Sequence, residues 1–289
     1  MTDYDGKLLD QRLVEPNRFH VSTIQRLYDV RLTEDTILER ITYLSDGLKI
    51  RGYVARPVDP GVYPVLIWNR GGVHDRGSLD DLTAWLLLAS TAAWGYVVLA
   101  TQYRGNKGSE GQEDWGGRDV HDALNLIRVA EQYPECDVER IGIEGVSRGG
   151  ITTFRAMTIE DRFKCAIVYA GIADLFKLCS SDREFCRLLD RKYAHLEPQE
   201  KRTEMEKMSV VHFVDRLPKN IPILLMHGTA DTVVPIEQSE ALAAELTQRQ
   251  IPHKYVAIKG GTHVTLKDGS YRQIDEYRRE WLQKHLGHS

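Results

Sequence analysis

Apolar residues in this chain alternate between two spacings. Short unbroken runs are separated by longer stretches in which apolar positions recur every three or four residues. The runs Pro64–Trp68, Tyr96–Ala100, Ile141–Ile143, Cys165–Tyr169, Ile221–Met226 and Lys254–Ile258 are rich in β-branched residues and read as buried strands. Between them, 82–94, 118–132, 151–159, 239–250 and 271–286 carry helical periodicity. Before the first run, 37–44 and 48–56 are extended segments joined by Ser45-Asp46-Gly47, a hairpin signal. Strands alternating with helices predict an α/β fold, a mainly parallel sheet with helices on both faces.

Two stretches depart from that rhythm. Residues 1–36 are polar and weakly periodic, which predicts an arm or short helices packed on a domain spanning 37–289. The 49 residues 172–220 are mostly polar and helix-prone, too long for a plain connection between strands. They predict a helical cap, whose apolar residues such as Leu175, Phe176 and Phe213 would border a pocket.

Composition narrows the class of protein. Of 289 residues, 42% are hydrophobic and 28% charged, enough for a large core. A net charge of -4 gives nucleic acid and membrane surfaces no electrostatic reason to bind. Leu82–Ala100 is nearly uncharged, but Gly95 divides it into a buried helix and a strand rather than one membrane span. Met1-Thr2-Asp3-Tyr4-Asp5 is acidic, without the apolar core of a signal peptide. Four cysteines without C-x-x-C spacing predict free buried thiols and a cytoplasmic protein.

The candidate chemistry centres on Gly145-Val146-Ser147-Arg148-Gly149, set between a strand and a helix. That context predicts a sharp turn with Ser147 at its apex, its hydroxyl thrown clear of the sheet. A serine nucleophile needs a base, and the base an acid to fix its tautomer. Asp231 follows the strand Ile221–Met226 and His263 follows Lys254–Ile258, so Ser, Asp and His come in order at strand exits. Asp174 is the alternative acid. Oxyanion donors are expected from the N–H groups of Arg148 and of Gly72, in the loop after Pro64–Trp68, with Gly71 as the alternative to Gly72. Arg70, in the same loop, is a candidate for binding a substrate carboxylate, with an ion pair to a nearby acid as its alternative, and Arg148 shares both readings. No H-E-x-x-H, P-loop or G-x-G-x-x-G occurs, so neither metal nor nucleotide cofactor is expected.

These pieces resemble the catalytic domain of the prolyl oligopeptidase family of serine hydrolases. The matching stretches are Trp68–Gly72, Tyr103-Arg104-Gly105 with Gly108 and Gly111, Gly145–Gly150, His227–Pro235 and Gly261–His263. The resemblance implies an α/β-hydrolase fold and cofactor-free hydrolysis of a small ester or short peptide through an acyl-enzyme. Family peptidases usually carry a β-propeller, whereas about sixty residues precede Pro64 here, too few for one. Arg70 also stands where some members place a tyrosine hydroxyl on the oxyanion. Peptidase and carboxylic-ester hydrolase therefore stand level as expectations, with a non-catalytic binding module as the rival from another class.

Overall fold

The computed structural model describes residues 5–28, 31–263 and 265–287, so most of the acidic Met1–Asp5 stretch lies outside the described residues. In chain order, strand β1 (Leu8–Leu13) and helices α1 (Arg18–Leu27) and α2 (Leu32–Asp35) precede the hairpin β2 (Thr36–Ser45) and β3 (Leu48–Pro57). Strand β4 (Tyr63–Asn69) leads through a loop to α3 (Asp81–Ala84), a π-helical turn Trp85–Ala89, α4 (Ser90–Ala92) and β5 (Val97–Thr101). Then come α5 (Val120–Ala130), β6 (Cys136–Val146), α6 (Gly149–Met157) and β7 (Phe163–Tyr169). Helices α7 (Leu175–Ser181), α8 (Arg183–Lys192) and α9 (Pro198–Met208) fill the segment before β8 (Ile223–Gly228). The chain continues with α10 (Glu237–Gln248), β9 (His253–Ile258), α11 (Thr265–Asp268) and α12 (Tyr271–Leu286).

One sheet holds all nine strands in the order β1-β2-β3-β5-β4-β6-β7-β8-β9. The strands from β5 to β9 along that order pair in parallel, and β1, β2 and β3 pair antiparallel at one side. This is the mainly parallel α/β sheet that the apolar runs predict, in the α/β-hydrolase architecture that the family resemblance implies. Between β2 and β3, Asp46 and Gly47 both take positive φ (51° and 77°), the backbone that a two-residue hairpin turn requires.

Alternation along the strands divides the core by face. Ile67 and Ile143 pack with Ile127 and Phe154 of α5 and α6 on one side, while Leu66 and Trp68 pack with Ile24, Trp85 and Trp281 on the other. A third cluster joins the 172–220 segment to the strand-exit loops, with Leu178 and Leu189 against Trp115 and Ile151.

Three expectations are corrected. The first 36 residues hold an edge strand, β1, besides helices; five of its six residues are exposed, so backbone pairing rather than an apolar stripe holds it and periodicity could not reveal it. The helix expected over 82–94 is interrupted by the π-helical turn. Two of the four cysteines are not free: Cys179 and Cys186 form a disulfide between α7 and α8, leaving Cys136 and Cys165 as thiols. Spacing alone did not reveal this, because the two lie on successive helices that fold back on each other. Among the described residues, no helix is long and apolar enough to cross a membrane.

Candidate active site

Strand β6 runs directly into α6, and the turn between them forces Ser147 to a positive φ of 56°, a conformation that costs a non-glycine residue free energy. Hydrogen bonds over-determine it: Ser147 N–H donates to Tyr169 O (2.9 Å), and Gly150 N–H donates to Ser147 O (2.9 Å). The flanking glycines are steric necessities. A Cβ on Gly145 would lie 2.3 Å from Gly149 O, and one on Gly149 would lie 2.1 Å from Asn69 O. Gly71 presses on the serine from the β4 loop, where a Cβ would come within 3.0 Å of Ser147 Cβ.

The β8 exit loop supplies Asp231. Its Oδ1 accepts the N–H groups of Val233 (2.8 Å) and Val234 (2.9 Å), leaving Oδ2 2.8 Å from His263 Nδ1. His227 Nε2 stands 3.4 Å from the same oxygen. Burial pushes the Asp231 carboxyl up, but the hydrogen bonds from His227, His263 and Val234 outweigh it and hold the group well below the usual carboxylate range. An ionised carboxylate can only accept, so the proton of His263 resides on Nδ1 and Nε2 offers its lone pair. The same reasoning fixes His227: its Nε2 faces the carbonyl of Val234 at 2.8 Å and must donate, and its Nδ1 accepts from Ser239 Oγ at 2.7 Å.

The loop bearing His263 is tied at two points. Tyr169 donates its hydroxyl to Thr262 O (2.6 Å), and Asp268 Oδ2 accepts both the N–H and the Oγ1 hydroxyl of Thr262 (2.6 Å each). Burial raises the Asp268 carboxyl, but the bonds from Ser270 and Thr262 together outweigh it and bring it down to about 2. Sequence reading missed Asp268; its position five residues after His263 carries no motif.

Ser147, Arg148, Gly72 and His263 border one cavity of about 970 Å³. No hydrogen bond joins Ser147 Oγ to His263 among the described residues, and such bonds commonly tighten only when substrate is present. Gly72 has a φ of 77°, and a Cβ there would meet Arg76 O at 1.9 Å, so only glycine fits this turn. The alternative acid, Asp174, instead caps α7 by accepting from Phe176 N (2.9 Å) and Lys177 N (3.1 Å).

Arg70 does not face the cavity in this arrangement, which corrects the placement that its loop position suggested. Its side chain is 0% exposed and absent from the cavity wall. Its guanidinium donates to the carbonyls of Gln102 (2.9 Å), Gly71 (3.0 Å) and His74 (3.1 Å), which bind the β4 loop to the β5 loop. Desolvation, with the neighbouring Arg148, lowers it to about 10. Arg148 lies over the Tyr103 ring at 4.7 Å and donates from Nη1 to Glu113 Oε1 at 2.7 Å. Glu113 also accepts from His74 N (2.9 Å) and Trp115 Nε1 (3.0 Å). Burial raises its carboxyl, but Arg148 and these donors win and hold it down.

On the cap side Leu178, Phe185 and Leu188 line the cavity, together with the charged Asp182, Glu184 and Arg191. Leu175, Phe176 and Phe213, named from sequence, do not line it. Helical segments turn one stripe inward, and sequence alone left the stripe undefined. Among the described residues, no cluster of three or more His, Cys, Asp or Glu side chains is arranged to hold a metal ion.

The model of the prolyl oligopeptidase family matches residues 84–289. An uncharacterized peptidase, YtmA, of Bacillus subtilis (strain 168) is 32% identical over 216 residues, covering 74% of this chain and 81% of that protein. A puromycin-hydrolyzing peptidase of Mycobacterium tuberculosis superposes with a TM-score of 0.72 at 26% identity, over 86% of this chain and 40% of that one. The acylaminoacyl peptidase of Pyrococcus horikoshii, 24% identical, shares the fold with a TM-score of 0.73 over 88% of this chain and 43% of its own. This chain thus spans well under half of those solved peptidases. It belongs to the prolyl oligopeptidase family and is a serine hydrolase.

Proposed function

We propose that Ser147, His263 and Asp231 act as a catalytic triad that cleaves peptide or related amide and ester bonds through an acyl-enzyme. The observation that carries this reading is the 2.8 Å contact of His263 Nδ1 with Asp231 Oδ2, in the cavity that Ser147 borders from its strained turn. Ser147 Oγ attacks the carbonyl carbon while His263 Nε2 takes its proton. The oxyanion that forms is held by the N–H groups of Arg148, at the start of α6, and Gly72. Collapse breaks the bond to the leaving amine or alcohol, which receives the proton from His263. Water then attacks the acyl carbon, gives its proton to His263, and releases the acid and a regenerated Ser147. In this reading the segment 172–220 is a cap that walls one side of the cavity, and 37–289 is the catalytic domain.

Peptidase relatives favour amide substrates, and the apolar wall of the cavity also suits carboxylic esters. A panel of p-nitrophenyl esters beside aminoacyl and peptidyl amides separates the two. Covalent labelling by a fluorophosphonate tests the triad itself. Labelling of the wild type and none of Ser147→Ala is expected, and equal labelling of both would overturn the assignment.

A further inference from the structure

The cavity extends to both sides of Ser147. One part lies under the 172–220 segment. The other lies on the opposite flank, over the sheet face that carries α12, between the π-helical turn and α12. Trp68, Leu86, Leu87, Tyr271 and Ile274 wall this second part, and Leu266, three residues from His263, stands at its junction with the catalytic loop. Trp68 and Leu86 retain 5% exposure and Ile274 6%, whereas Leu88, one residue beyond Leu87, has 0%. The residues that line this space thus keep a little accessible surface, and Leu88 keeps none.

Two further observations mark it as a built subsite. The π-helical turn supplies Leu86 and Leu87; such turns are rare and gather at functional sites, because the extra residue per turn re-aims side chains. The charged end of the space is closed upon itself. Glu144 accepts from Arg278 Nε (2.8 Å) and Nη2 (2.9 Å), Arg278 Nη2 also donates to Thr91 Oγ1 (2.8 Å), and Arg278 Nη1 donates to Asp275 (2.6 Å). Both Glu144 oxygens and the guanidinium are thus engaged, so neither group is left to receive a ligand charge. Apolar walls ending in carboxylates whose one cation is already fully engaged suit an uncharged apolar group.

We propose that this second half of the cavity is a subsite for a medium-length aliphatic chain on the substrate, placed on the flank of Ser147 opposite the cap. The proposal rests on the hydrolase reading above for its kinetic test but not for its binding test. In the kinetic test, wild-type kcat/KM rises at least about tenfold from p-nitrophenyl acetate to the octanoate. Leu87→Trp, which fills the space, brings the octanoate-to-acetate ratio close to one, and Leu266→Phe does the same if the first variant folds poorly. Phe185→Ala, on the cap side, leaves the ratio within about twofold of wild type. A flat series in wild type, or a ratio that survives Leu87→Trp and collapses in Phe185→Ala, overturns the proposal.

The binding test needs no turnover. Ser147→Ala protein is titrated with 2-decanone, an uncharged, unlabelled chain, and intrinsic tryptophan emission is followed. Trp68 borders the proposed subsite and Trp115 the cap side. The response is expected to disappear with Trp68→Phe and persist with Trp115→Phe. Absence of binding, or a response that depends on Trp115 alone, overturns the subsite. Failure of hydrolysis with binding intact would instead count against the triad.

Discussion

Arg148 Nη1 donates to Glu113 Oε1 at 2.7 Å, with both side chains almost wholly removed from water. Arg148 follows the nucleophile and opens α6, where a cation opposes the helix dipole. Glu113, bonded by the loops of His74 and Trp115 as well, offsets that cost and neutralises Arg148 beside Ser147. Neutral esters and their carboxylate-bearing analogues should therefore be hydrolysed with comparable kcat/KM. Arg148→Leu would leave Glu113 buried with Arg70 at 3.8 Å as its nearest cation, which should cost about 3 kcal/mol of stability, read from the urea midpoint. An anionic preference that Arg148→Leu abolishes would show that the guanidinium leaves Glu113 for substrate.

For the triad, Ser147→Ala and His263→Ala should each lower kcat by about 10⁴-fold or more with the fold intact. Asp231→Asn should fall almost as far, because an amide at Oδ2 no longer fixes the proton on His263 Nδ1. Asp174→Asn should leave turnover near wild type, since its carboxylate caps α7. Circular dichroism alongside kinetics separates lost chemistry from lost structure. Turnover that survives Asp231→Asn and vanishes in Asp174→Asn would reverse the assignment of the acid.

The fold was legible because β4 through β8 lie inside the sheet and need apolar residues on both faces, so composition alone marks them. The strand-exit positions of Ser147 and Asp231 could be read because each follows such a run, and that of His263 because it follows the β-branched edge strand β9. Arg70 shows where that reading stops. Its loop position suggested the cavity, but the carbonyls of Gln102 and His74, one of them 32 residues away, turn its guanidinium inward. Likewise β1 presents mostly exposed side chains, and backbone pairing to β2 leaves no trace in hydropathy. Tertiary partners decide both cases, and a local pattern does not contain them.

Asp268 offers a test by pH. Its folded carboxyl titrates at about 2, below an unfolded value near 3.9. A depressed carboxyl contributes stability that is present above the unfolded value and lost as pH falls toward the folded one. Asp231, also depressed, adds a contribution of the same sign. Thermal midpoints of wild type should thus drop below about pH 4, and those of Asp268→Asn should drop less steeply over the same range. At neutral pH Asp268→Asn should reduce kcat by up to about 100-fold, because the loop of His263 loses its tie to Thr262. Identical acid profiles for the two proteins would show that Asp268 does not anchor the loop.

The disulfide between Cys179 and Cys186 spans a sequence separation of 7 and joins α7 to α8. These helices carry Leu178 and Phe185 to the cavity wall, each one residue from a bridged cysteine. A short closed loop of this kind contributes about 2 kcal/mol through the unfolded chain, and here it also fixes how two wall residues stand toward Ser147. Reduction with dithiothreitol, or Cys179→Ser with Cys186→Ser, should lower the thermal midpoint. It should also alter the ratio of kcat/KM between a bulky aromatic ester and p-nitrophenyl acetate more than it alters the acetate rate itself, because the bridge touches the wall and not the triad. Phe185→Ala should shift the same ratio in the same direction without any change in redox state. If reduction lowers both rates equally, the bridge supports the catalytic loops instead; if it changes neither rate nor midpoint, the cap holds its wall without it.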